Sequence, residues 1–167
     1  MNHVFHRVLG DEMPVAVRGD GVFIIDRDGK RYIDASGGAA VSCLGHSDAD
    51  VRRAIIDQTE KLSYAHTAFF TTEVAEELAE HLIASAPTGL DRVFYVSGGS
   101  EAVEVCLKLA RQYFFETGEL ERRHIIARRQ SYHGITLGAL SAGGHVWRSE
   151  PFEPMLFQAH HIAPCYS

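Results

Sequence analysis

The chain is poor in the residues that mark special classes of protein. It holds three cysteines, five prolines and one tryptophan in 167 residues. Cys43, Cys106 and Cys165 are odd in number and far apart, which argues against a disulfide framework or a CxxC metal clip and points to a reducing cytoplasm. No apolar stretch approaches the roughly 20 residues needed to span a bilayer. Residues 1–10 carry no apolar core of a signal peptide, so neither membrane nor export is expected. The 16 basic residues form no long run and are outnumbered by 22 acidic ones, giving a net charge of −6 and no footprint for nucleic acid. Of ten histidines only His3/His6 and His160/His161 are close in sequence, and no third ligand sits near either pair, so no metal centre is expected. GxxxxGK[ST] and GxSxG are absent, no GxGxxG opens a strand–helix unit, and no Ser–His–Asp set follows from order or motif.

What is present is an ordinary folded composition, 46% hydrophobic and 23% charged, at a length suited to one core. Residues 22–26 and 31–34 flank Asp28-Gly29, the signal of a β-hairpin. Residues 35–45, rich in Ser, Gly and Ala, read as a loop that permits close backbone approach. Residues 50–62 and 72–86 are amphipathic helices, the second with Thr71 or Thr72 as N-cap and Pro87 behind it. Residues 92–96 form a short apolar strand, Ser97-Gly98-Gly99-Ser100 a tight turn, and residues 101–117 a helix closed by Gly118. Residues 124–127 are another strand and 134–142 another helix. Strand–helix–strand–helix implies a parallel sheet, hence α/β. Residues 151–167 are apolar and aromatic and carry no helix cap. Two strands alone leave a sheet edge bare, so the chain reads as a fragment.

Two turns can carry chemistry. Gly98 and Gly99 lack Cβ atoms, and the amides of Gly99, Ser100 and the following residues point out of a helix start whose dipole favours an anion. The Ser100 hydroxyl adds a donor. This is a site for a phosphate, or an ordinary glycine turn. The second turn is Tyr132-His133-Gly134, beyond the carboxyl end of the next strand, where ligands of open α/β sheets lie. Tyr132 can stack on a flat heterocycle with His133 beside it, or be core. Gly45-His46 could add a wall of small residues, or be surface loop.

Together these residues resemble class III pyridoxal-phosphate (PLP) aminotransferases over nearly the whole chain. Asp28-Gly29-Lys30-Arg31-Tyr32-Ile33-Asp34 is similar to their N-terminal hairpin, with Ser36-Gly37-Gly38 and Gly45-His46 as the loop after it. Ser97-Gly98-Gly99-Ser100-Glu101-Ala102-Val103-Glu104 resembles their phosphate cup, and Ser131-Tyr132-His133-Gly134 their ring-stacking motif. The resemblance implies a partial PLP-dependent transferase fold. Residues 1–60 are then the N-terminal segment of the small domain (hairpin and helix), and residues 61–167 the truncated start of the large mixed-sheet α/β/α domain. It implies that Gly99 and Ser100 hold the phosphate, Gly98 lines it, Tyr132 stacks on the pyridine ring and His133 lies beside it. Residues 36–43, with Ser42, and Tyr64 become candidates for a substrate pocket. For Tyr64, helix-end packing is an equal reading. Gly98 stands where many relatives have a hydroxyl residue, and Asp48 and Ala49 stand where they often have His and Pro.

The same resemblance implies a cytoplasmic homodimer with its active site at the interface, exchanging an amino group between an amine or amino acid and a keto acid. It also implies that no catalytic residue lies in this chain. The Schiff-base lysine and the acid against the pyridine nitrogen belong downstream. Lys30, Lys61 and Lys108 match neither position, and no Asp follows Asp91. The 167 residues alone are therefore expected to be inactive. An aminomutase or racemase shares the same cup and ring, and a truncated, non-catalytic PLP- or partner-binding protein is the alternative of another class. The amino donor is not legible.

Overall fold

The computed structural model describes residues 3–7, 10 and 12–166. It divides into two compact units, Met1–Glu76 and Glu77–Ser167.

The first unit is built on an antiparallel sheet in the order β1 (Ala16–Asp20), β2 (Phe23–Asp26), β3 (Arg31–Ile33). The expected hairpin is β2–β3, with Ile24 opposite Tyr32. Asp26 shapes its turn: one carboxylate oxygen accepts the N–H groups of Asp28 and Lys30, and the other accepts the Tyr32 hydroxyl at 2.8 Å. That hydroxyl, followed by the two amides and the Lys30 charge, holds the Asp26 carboxyl below its ordinary range. Gly29, with φ of 82°, makes the reversal that a side chain would oppose. β1 was not foreseen; its sequence, Ala16-Val17-Arg18-Gly19-Asp20, carries a glycine and two charges, and pairing with β2 overrides that poor strand propensity.

After β3 the chain makes one helical turn, α1 (Gly37–Ala40), wound left-handed: Gly38 has φ 57° and Ala39 φ 59°. Then comes α2 (Ala49–Lys61), capped by Asp48 accepting the Val51 N–H at 2.9 Å. α3 (Glu73–Ser85) starts where Thr72 Oγ1 accepts from the Ala75 N–H.

The second unit centres on α4 (Gly99–Glu116), β4 (Ile126–Arg128), α5 (Leu137–Ala142), α6 (Val146–Ser149), a 3-10 turn (Glu150–Met155) and β5 (His160–Ile162). Three expectations are corrected here. Residues 92–96 are in no ladder among the described residues, because a strand needs a neighbour for its N–H and C=O groups and β4 takes another partner. That partner is β5, from the apolar tail, paired parallel with Ile126 opposite His160. The helix expected over residues 134–142 starts at Leu137 instead of Gly134, because the Ile135 amide is drawn onto Ser100 and Thr136 is extended as its N-cap.

Among the described residues burial is confined to small patches: Ile25 and Asp26 in one unit, Ala127, Gly134 and the Ala139–Ala142 stretch in the other. α2, α3 and α4 bury no residue. No helix among the described residues is long and apolar enough to cross a membrane.

Candidate functional site

The second unit brings the two glycine turns together. Ser100, in the first turn of α4, accepts the Ile135 N–H on its hydroxyl at 3.0 Å, and the Thr136 hydroxyl reaches the Ser100 carbonyl at 3.5 Å. Gly134 makes this approach possible: its φ is 134°, and a Cβ there would lie 2.5 Å from Ser100 Oγ and 2.8 Å from Ser100 Cα. One turn lower, Glu104 crosses the same gap. Its Oε1 accepts the N–H groups of Gly138 at 2.7 Å and Ala139 at 3.2 Å, capping α5 from another helix. The Thr136 hydroxyl, then these amides and the Lys108 charge, hold the Glu104 carboxyl below its ordinary range against the cost of burial.

The start of α4 is open. A side chain added at Gly98 or Gly99 would meet nothing within 4 Å, so bare backbone faces outward at both. The amides of Gly99, Ser100 and Glu101 are first-turn donors without intrahelical acceptors, at the positive end of an 18-residue helix. The Glu101 carboxylate folds back and accepts the Ser97 N–H at 2.8 Å. This occupies the Ser97 donor and keeps the carboxylate beside the start of α4. Tyr132 is 59% exposed, and His133, half-buried, lines a small cavity with Tyr132, Gly134, His145 and Arg148. The open helix start and the exposed Tyr132 ring are thus linked through the Ser100–Ile135 bond.

The first unit holds a cluster that sequence reasoning missed. Asp34, directly after β3, accepts Ser36 Oγ at 2.9 Å and the Gly38 N–H at 3.3 Å on one oxygen. On the other it accepts Ser42 Oγ at 2.8 Å and meets His46 Nε2 at 2.9 Å. Its carboxyl is pushed down to about 2, first by the Ser42 hydroxyl, then by Ser36, with Gly38 and His46 adding to these against desolvation. These bonds hold α1 in its left-handed turn, where Ala39 and Ala40 both have positive φ, a conformation that costs roughly 1–2 kcal/mol per residue with a Cβ. Ser42 is thus a buttress of Asp34. Gly45 packs onto the β1–β2 turn, where a Cβ would come 2.7 Å from the Gly21 carbonyl. The signal was an acid at a strand end followed by Ser36, Ser42 and His46 within one loop. Tyr64 is 73% exposed, its ring edge-on to His66 at 6.5 Å.

Against this geometry, residues 8–166 match the family described as Aminotransferase class-III. An uncharacterized aminotransferase of Schizosaccharomyces pombe is 44% identical over 166 residues, covering 99% of this chain and 36% of the relative. Among solved structures, an (S)-enantioselective omega-transaminase from Thermomicrobium roseum superposes with TM-score 0.91 at 34% identity, over 99% of this chain and 38% of that one. An amine transaminase from an uncultivated Pseudomonas species, solved in its PLP-bound form, gives TM-score 0.88 at 33% identity, over 99% and 38%. The chain therefore spans little more than a third of the length of these proteins. Its mixed α/β fold is the corresponding part of theirs.

Proposed function

This chain belongs to the class III aminotransferases, and from that premise we propose that it is the N-terminal part of a PLP-dependent transaminase exchanging an amino group between an amine or amino acid and a keto acid. One observation carries the reading: the bond between Ser100 and Ile135 sets an anion-binding helix start beside an exposed aromatic ring. The amides of Gly99 and Ser100 and the Ser100 hydroxyl hold the phosphate, with Gly98 lining the cradle. Ser100 can do this while accepting from Ile135, because its hydroxyl proton remains free to donate. Tyr132 stacks on the pyridine ring and His133 lies at its edge. When bound, the cofactor supplies an electron sink. The residues of this chain bind it, orient its ring and keep its phosphate in place.

The remaining parts of the reading extend beyond residues 1–167. The lysine that anchors the cofactor and the acid facing its ring nitrogen come from further along the polypeptide. Residues 1–60 contribute to the small domain, and residues 61–167 open the large one. Asp34 shapes the loop carrying Ser42 at a substrate pocket, to which Tyr64 adds from its exposed position. The working assembly is a cytoplasmic homodimer. The test is the visible spectrum of the native gene product before and after borohydride. A yellow band that bleaches, with cofactor trapped on a lysine beyond Ser167, is the expected result. No band, from a protein whose mass ends at Ser167, overturns the transaminase reading in favour of a non-catalytic protein.

A further inference from the structure

Tyr132 already carries a cation on one face. Arg148 Cζ lies 5.2 Å from the Tyr132 ring centroid and 4.3 Å from that of Trp147. Its guanidinium has no carboxylate within ion-pair distance among the described residues, although Glu150 and Glu153 follow closely in sequence. The group is therefore held by aromatic faces and not by an acid. Backbone enforces the pairing. Gln130 donates its N–H to the Gly144 carbonyl at 3.1 Å, and Gly144 donates back to the Ser131 carbonyl at 2.9 Å. These two bonds stitch the segment leading into α6 onto the residues just before Tyr132. Gly144 is required there, because a Cβ would run into the backbone of residues 128–130. The Arg148 N–H then closes on the His145 carbonyl at 3.0 Å, starting α6 where its arginine reaches the tyrosine.

An aromatic ring has two faces, and a planar guanidinium covers one of them with favourable electrostatics. Resting on the proposed cofactor site, we infer that Arg148 is a positioning residue: it fixes the Tyr132 ring through a cation–π contact and leaves the opposite face for the cofactor's ring. The contact holds the ring plane in one orientation, and the positive charge favours a nearby anionic group. Arg148 acts through Tyr132 and exchanges no proton.

The test uses the full-length protein with Arg148→Met, which keeps length without charge, Arg148→Lys, Tyr132→Leu and the Tyr132→Leu/Arg148→Met pair. Cofactor affinity is read by absorbance titration with PLP, and coupling between the two residues by urea unfolding of the cofactor-free forms. The expected result is an affinity loss of about tenfold in Arg148→Met, with most of it recovered in Arg148→Lys. In the Tyr132→Leu background, Arg148→Met adds nothing further, either to affinity or to unfolding. The inference is overturned by wild-type affinity in Arg148→Met, by equal losses in the Met and Lys variants, or by additive effects in the double variant. A wild-type protein that takes up no PLP defeats the functional reading and this inference with it; uptake by wild type with no loss in Arg148→Met defeats this inference alone.

Discussion

Ser100 Oγ and the Ile135 N–H lie 3.0 Å apart, and Gly134 is pressed beneath that bond with no room for a β-carbon. The atoms a new side chain would strike include Ser100 Cα, which cannot move without carrying the start of α4 along. Gly134 also has a positive φ that L side chains rarely adopt. Gly134→Ala is expected to lower stability by about 1–3 kcal/mol and to abolish PLP retention. Urea unfolding and an absorbance titration check this. Unchanged values in both would mean that the two turns do not touch.

Ser100 separates the structural from the electrostatic part of the cradle. Ser100→Ala removes the acceptor of the Ile135 N–H, at about 1 kcal/mol, and one phosphate donor, so affinity for PLP should fall while binding persists. Ser100→Glu places a carboxylate where the phosphate belongs and should eliminate cofactor retention by repulsion. Retained cofactor in the glutamate variant would refute the phosphate cradle.

The Asp34 cluster predicts an acid limb. The carboxyl is pushed from its ordinary 3.8 down to about 2 in the folded state. A group with a depressed folded pKa contributes stability that is fully present above the unfolded value and disappears as pH falls through the folded one. Stability of the Met1–Glu76 unit should therefore decline between about pH 4 and pH 2, as protonated Asp34 loses Ser42, Ser36, Gly38 and His46. Asp34→Asn should be less stable at pH 7 and show a flatter profile across that window, followed by circular dichroism at fixed urea. Parallel profiles would place the carboxylate outside the stabilising network.

How much of this was readable follows from range. The β2–β3 hairpin, α2, α3 and α4 were legible because their signals are local: Asp28-Gly29 between apolar runs, amphipathic spacing over residues 50–62, Thr71 or Thr72 as the cap of α3, Gly118 after α4. The glycine and aromatic turns were legible as a combination of motifs in order. Partners were not. The 92–96 segment has the composition of a strand, yet composition does not name the neighbour that would pair with it, and β4 pairs with His160–Ile162 instead. Residues 134–136 read as the first turn of the helix that follows them, but a hydrogen bond from Ile135 to Ser100, 35 residues away, keeps them out of it. The left-handed turn at Ala39 and Ala40 was illegible for a related reason: alanine gives no hint of positive φ, and four contacts on Asp34 sustain it.

Glu104 is a further case of action at long range, and it can be tested alone. Its carboxylate caps α5 through Gly138 and Ala139. Glu104→Ala should cost about 1 kcal/mol near neutral pH, the usual penalty for losing an N-cap. Because the folded pKa is lowered from 4.5, the difference between the variant and wild type should shrink as pH falls below that value. A difference independent of pH would mean that Glu104 contributes by packing and not by charge.

The last prediction concerns the uncovered faces. Val51, Ile55 and Ile56 on α2, Val74, Leu78 and Leu82 on α3, and Leu109 and Tyr113 on α4 are all exposed. Apolar patches of this extent are normally covered by further chain or by a partner, since exposing them forfeits about 25 cal/mol for each Å² left in water. Residues 1–167 produced alone should therefore bind the dye ANS strongly and unfold over a broad urea range with a low slope, as expected for helices without a packed core. The native gene product, if it extends to the length of its relatives, should bind little dye and unfold cooperatively. ANS silence in the isolated 167 residues, with a sharp transition, would mean that they cover these faces themselves. Sedimentation would then show whether self-association does so.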